Sequence, residues 1–199
     1  MPSPIGHALA GIAVAWAADL FPGNRGWRTA PRTATWFARA GNGLTLTCAA
    51  LAVAPDLDLL IREFHRSITH SVVSIIAVAV GAGLAAASAR LPVARIAGMC
   101  AGAWATHLVL DWLAADPSSP RGIQAFWPFS DRRFISDWDI FRGTERRQIF
   151  SAPSIRLNMA ALVRELAFLL PLVLGLWLIR VKALARFSSE LARRHHPAE

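Results

Sequence analysis

Seven side chains able to grip a cation punctuate an otherwise apolar chain: His7, Asp56, Asp58, His65, His70, His107 and Asp111. Four imidazoles and three carboxylates form a mixed nitrogen and oxygen donor set. That set suits a borderline divalent ion, zinc first, with manganese or iron as alternatives. In "HLVLD", His107 and Asp111 stand four residues apart, one above the other on a single helix face. In "PDLD", a continuous helix would point Asp56 and Asp58 about 200° apart. Pro55 breaks the helix, because it lacks an N–H and clashes with the preceding turn, and both carboxylates can then face one site. His65 and His70 in "HRSITHS" do not share a helix face. Ser67 as an N-cap leaves His65 on the loop and His70 in the first helical turn. Seven donors exceed one tetrahedral site, so one or two ions are expected, two being bridged by a carboxylate.

Each residue also has a plainer reading. His7 could be interfacial, Asp111 a partner of Arg121, and Arg66 a surface partner of Glu63. His195 and His196 belong to the tail. Cys48 and Cys100 lie in apolar segments without a CxxC partner and read as buried inert thiols.

The elements that must position these donors are read from composition and pattern. Of 199 residues, 54% are hydrophobic and 17% charged, and the charges cluster between apolar blocks. This segregation marks a multi-span membrane protein rather than a soluble core. A span needs about 20 apolar residues. Segments 4–20, 68–89, 93–113 and 162–181 approach that length, and 44–61 is interrupted at Pro55. The expected fold is all-α: one integral-membrane domain over 1–199, a polytopic bundle of about five transmembrane helices with one broken at Pro55. A long polar extramembrane loop, 114–161, precedes the last helix, and 183–199 is a charged tail. "ALAGIAVAWA" resembles a signal-peptide core, but "MPSPIGH" before it carries no Lys or Arg, so the segment is read as a mature helix.

Because direction alternates, the start of an odd span and the end of an even one lie on the same side. All seven donors fall there, and Glu165 joins them at the opening of the fifth span. The loop holding Arg25, Arg28, Arg32 and Arg39 lies opposite, with Arg90, Arg95 and the basic tail. Basic loops mark the cytoplasmic side, and long loops such as 114–161 weigh less in that rule. The expected location is therefore the inner (cytoplasmic) membrane, with the donor cluster extracytoplasmic. The net charge of +8 fits anionic lipid better than nucleic acid, for which no recognised motif is present.

"GHALAG", "PDLD", "HRSITHS", "HLVLDWL" and "FWPFS", in that order, resemble the YdjM-like, LexA-regulated membrane-bound metal-dependent hydrolases. Ser67 stands where glycine is common in that pattern. The resemblance implies that His7, Asp56, Asp58, His65, His70, His107 and Asp111 hold the metal. A more distant likeness to zinc-dependent phospholipases C and nucleases suggests phosphoester chemistry by analogy. The implied activity is a membrane-embedded metal-dependent hydrolase acting on a phosphoester or lipid-linked substrate. In it Asp58 or Glu165 accepts a proton from water. Arg66, Arg132 and Arg133 hold a phosphate or head group, while Trp127 and Phe129 anchor the loop at the interface. The alternatives are a divalent-metal transporter and a non-catalytic metal-binding membrane protein. Transport needs polar residues that continue across the bilayer, and only Asp19 and Thr47 interrupt the inner halves of the spans.

Overall fold

Among the described residues there are five α-helices: α1 (Pro4–Ala18), α2 (Gly43–Val53), α3 (Val72–Ser88), α4 (Val93–Trp112) and α5 (Ala152–His195). The computed structural model describes residues 1–21, 41, 43–60, 66–117, 119–146 and 148–195. A 3-10 turn, Ala54–Leu60, continues α2 from the point where Pro55 denies it an N–H. No strand forms among the described residues. The stretch between α4 and α5 is irregular, tied by isolated bridges from Ala114 to Phe141 and from Ile123 to Phe134.

α1 and α4 run antiparallel, as two contacts show. The start of α1 meets the end of α4 through His7 and Asp111, and the end of α1 meets the start of α4 through Asp19 and Arg95. α5 runs parallel to α1, meeting it near Ser3 and again at Asp19 through Arg180. α1 is the central helix, packed on α2, α4 and α5, while α3 packs chiefly on α4. The approach of α1 to α2 depends on Gly11, where a Cβ would overlap the carbonyl of Cys48. Below the site an apolar layer of Ala15, Cys48, Met99 and Ala103 fills the interior. Cys48 and Cys100 are both buried and are not joined in a disulfide.

Among the described residues, two helices are long and apolar enough to cross a membrane, α4 and the first 32 residues of α5. α1 and α3 are apolar but shorter, with 15 and 17 residues. At 1.5 Å per residue, α1 covers about 22 Å, against about 30 Å of hydrocarbon.

Three boundaries differ from the sequence expectation. α5 begins at Ala152, ten residues before the expected span, because Ser151 supplies a capping oxygen to the Ser154 N–H at 3.3 Å. The polar insertion is shorter by the same amount. At its other end α5 continues as helix to His195, through most of the expected tail. The cap of α3 is Ser71 rather than Ser67: its hydroxyl accepts the Ser74 N–H at 3.3 Å and donates to the Ile68 carbonyl at 2.7 Å. His70 therefore precedes the helix instead of lying in its first turn. Local hydrogen bonding around Asp58 holds residues 66–70 in turns and delays the helix.

Candidate metal centre

α4 brings two donors by periodicity alone. His107 and Asp111, one turn apart, put Nε2 and Oδ2 3.3 Å from each other. The His107 Nδ1 lies 2.8 Å from the carbonyl of Ala52, which only accepts, so Nδ1 donates and Nε2 is left with its lone pair. Asp111 is thus not a partner of Arg121, which pairs instead with Asp137 at 3.0 Å.

His70 reaches the same point from the turn before α3. Its Nδ1 faces Asp58 Oδ2 at 3.2 Å and the Thr69 hydroxyl at 3.0 Å, and Thr69 donates to Asp58 at 2.5 Å. With Nδ1 as the donor, the Nε2 of His70 also carries a lone pair. It lies 3.0 Å from His107 Nε2 and 3.2 Å from Asp111 Oδ2. Arg66 adopts a left-handed backbone, φ 65°, where its N–H donates to Asp58 at 3.2 Å and its carbonyl accepts from Gln124 at 3.0 Å. Such conformations persist only where the surroundings enforce them.

His7 enters from the first turns of α1, stacked on the His107 ring with centroids 3.8 Å apart. Its Nε2 is 3.6 Å from Asp111 Oδ1. The N-terminus of α1 is held by Ser3, whose hydroxyl caps the Gly6 N–H at 3.2 Å. Glu165 of α5 grips Ser3 in turn, accepting its backbone N–H at 2.7 Å and its hydroxyl. Gly6 makes room for this carboxylate, since a Cβ there would stand 2.5 Å from Glu165 Oε2. Asp56, on the 3-10 turn, has Oδ1 3.8 Å from His107 Nε2.

These donors fit a cation. His7, His70, His107 and Glu165 are fully buried, and Asp111 is 5% exposed. Among the described residues, neither nitrogen of His7 and neither oxygen of Asp111 makes a hydrogen bond. Buried polar atoms are rarely left so. Lone pairs from two imidazoles and a carboxylate oxygen face one another at 3.0–3.3 Å. Zinc bonds of about 2.0–2.1 Å set tetrahedral ligands about 3.3 Å apart. Among the described residues, two triads bring their ligand atoms within 4.8 Å of one another, His7–His107–Asp111 and Asp56–His70–His107. The Asp111 oxygens face different imidazoles, Oδ1 toward His7 and Oδ2 toward His70 and His107, as a bridging carboxylate would.

The remaining expected residues sit as follows. His65 lies outside the described residues, as do Glu63 and His196. Asp58 contacts His70 from the side away from Asp111 and orients the ring. Arg66 pairs with Asp116, and its Nε contacts the Met1 sulfur. Arg133 donates to the Gly122 carbonyl at 3.0 Å, and burial, then Arg66 beside it, pull its pKa below the ordinary value. Arg132 is exposed over the Phe134 ring. Phe129 is 87% exposed.

Sequence reasoning passed over Arg146, Ser3 and Asp116. Arg146 forks onto Asp56, with Nη1–Oδ1 3.3 Å and Nη2–Oδ2 3.1 Å, and also donates to the Pro2 carbonyl at 3.3 Å. Asp116 ties Arg66 to the Gly122 N–H, the latter at 2.8 Å. All three lie in non-periodic sequence, and the surplus of arginine around them hid any signal.

Residues 1–186 match the family model described as YdjM inner membrane protein. The chain belongs to that family and is an inner-membrane protein. No curated protein and no solved structure matches it.

Proposed function

We propose that this inner-membrane protein is a metal-dependent hydrolase of phosphoester bonds in amphipathic, lipid-linked substrates. Its five helices are embedded in the bilayer, with the centre on the extracytoplasmic side. The observation that carries the reading is the buried meeting of His7, His70, His107 and Asp111, with the His7 nitrogens and Asp111 oxygens lacking hydrogen bonds among the described residues. His107, with only its Nε2 lone pair available, would hold a single divalent ion, zinc first, together with Asp111 and either His7 or His70, and Asp56 stands beside it as a further carboxylate. A bound ion of this kind supplies Lewis acidity and lowers the pKa of a coordinated water toward neutrality.

The chain's own groups do the rest. Asp58 acts through His70: its Oδ2 accepts the ring's Nδ1–H and the Thr69 hydroxyl, which fixes the tautomer that leaves Nε2 for the ion. Glu165 acts by position: with both oxygens on Ser3, it secures the α1 terminus that presents His7. Low dielectric around the site strengthens each of these charge interactions.

The transporter alternative fits less well. Between the site and the opposite end of α1 lies the apolar layer of Ala15, Cys48, Met99 and Ala103. Beyond it, Asp19 is clamped by Arg95 and Arg180.

Elemental analysis of untagged protein in detergent tests the proposal. About one divalent ion per chain is expected, with most of the metal lost in His107→Ala and Asp111→Asn. Wild-type protein should hydrolyse members of a phosphoester and phospholipid panel in a chelator-sensitive manner. Metal-free wild type, or metal-loaded wild type inert across the panel, would refute the hydrolase.

A further inference from the structure

A second feature opens beside the centre. A groove of about 690 Å³ runs between the start of α1, the 3-10 turn, residues 144–149 and the first turns of α5. That volume lies within the range of about 300–1,000 Å³ typical of small-molecule sites. Its length is apolar and exposed: Ile5, Leu57, Ile149, Ile155 and Met159 each show about half of their surface or more. Its polar groups gather where α1 begins, namely Ser3, Asp56, Thr144, Glu145, Arg146 and Asn158. Asp56 connects this polar end to the metal centre through its 3.8 Å approach to His107.

We infer that the groove is the lateral docking site for the substrate, a membrane phospholipid with its phosphate at Arg146 and an acyl chain against Ile5, Leu57 and Met159. The inference rests on the proposed hydrolase for its consequence, but not for its occupant. A helix from another protein would want an apolar surface along the whole groove, whereas this one is apolar along its length and polar at its head, with the Arg146 guanidinium there, as a lipid is in mirror image. Arg146 is the group suited to the phosphate. Its guanidinium is partly exposed, its fork matches phosphate oxygens as it now matches the Asp56 carboxylate, and it is the arginine that reaches a metal-site carboxylate. Glu145 and Asp56 add negative charge beside it, so a neutral or singly charged phosphodiester is favoured over a free, doubly charged phosphate.

The test reads occupancy without turnover. Protein is reconstituted into nanodiscs of phosphatidylethanolamine and phosphatidylglycerol with chelator present. The probes are phosphatidylcholine and diacylglycerol carrying a diazirine near the chain terminus, and adducts are mapped by mass spectrometry. With the phospholipid probe, adducts should concentrate at Ile5, Leu57, Ile155 and Met159 over the exposed α3 face of Ile76 and Val80. Met159→Trp should lower adducts at Ile5 and Leu57 about tenfold, equivalent to about 1.4 kcal/mol of lost affinity. Ile155→Trp serves as a second filling variant if Met159→Trp does not purify as a monodisperse helical protein. Arg146→Ala should remove the preference for phospholipid over diacylglycerol. Even labelling of all lipid-facing helices, or labelling unmoved by both tryptophans, overturns the groove. Equal labelling of wild type by the two probes, or complete displacement by inorganic phosphate, overturns the phospholipid assignment. A protein that labels here yet hydrolyses nothing keeps the docking site and loses the hydrolase; one that hydrolyses soluble esters yet labels evenly does the reverse.

Discussion

At the scale of the residue, the centre depends on groups that never touch the donors' focus. Glu165 is fully buried and holds Ser3, Ser3 caps α1, and α1 presents His7. Gly6→Ala would drive a methyl into the Glu165 carboxylate. Such overpacking costs about 1–3 kcal/mol. We expect Gly6→Ala to lower the thermal midpoint and reduce metal content while leaving helix content intact, as read by circular dichroism and elemental analysis. Unchanged metal content would show that His7 does not depend on this brace. Glu165→Gln keeps the shape but turns one acceptor into a donor facing the Ser3 N–H or hydroxyl. Its metal content should fall less than that of His7→Ala. The donors themselves were legible, because histidine and aspartate are scarce in an apolar chain and His107–Asp111 follows the helical repeat. The brace was not: a serine next to proline at a chain terminus and a glutamate 162 positions away share no local pattern.

At the scale of the element, the break in α2 and the cap of α3 decide where the donors meet. Pro55 was readable as a helix break, since its missing N–H acts whatever the tertiary context. The cap was misplaced by four residues. Ser67 and Ser71 are equivalent by type, and what separates them is the demand of Asp58 for the Arg66 N–H and the Thr69 hydroxyl. Sequence carries no local sign of that demand. Ser71→Ala should cost about 1 kcal/mol of stability through loss of the cap, visible as a lower detergent-melting midpoint. Thr69→Val should leave the midpoint nearer wild type but loosen His70, reducing metal affinity by about 10–100-fold, the range seen when groups orienting a ligand are removed. If Thr69→Val binds metal as wild type does, the orienting role assigned to Asp58 and Thr69 fails.

At the scale of the whole molecule, two polar clusters sit at opposite ends of one bundle. Alternation of spans foretold that the donors would share an end, because strand-free connectivity leaves no other choice. It did not foretell the second cluster, where Asp19 of α1 pairs with Arg95 of α4 and with Arg180 of α5, the latter at 2.6 Å. Arg95 and Arg180 had been read only as topology signals among many arginines. Asp19, Arg95 and Arg180 have almost fully buried side chains. Removing one partner of a buried pair costs about 3–5 kcal/mol. Asp19→Asn should therefore lower the melting midpoint more than any single donor substitution in metal-free protein. Asp19→Asn combined with Arg180→Leu should recover part of the loss. An additive double variant would mean that Asp19 and Arg180 are not coupled.

That second cluster also has an electrical meaning. Within it the Asp19 carboxylate faces the guanidiniums of Arg95 and Arg180, and these three groups together carry one positive charge at the end remote from the histidines. A unit charge moved through the full field of an energised membrane changes energy by about 2.3 kcal/mol for each 100 mV. With the inside negative, such a voltage would favour the proposed orientation, in which the Asp19 end faces the cytoplasm. In that proposed orientation, the force that drives cations inward would also turn the histidine end outward.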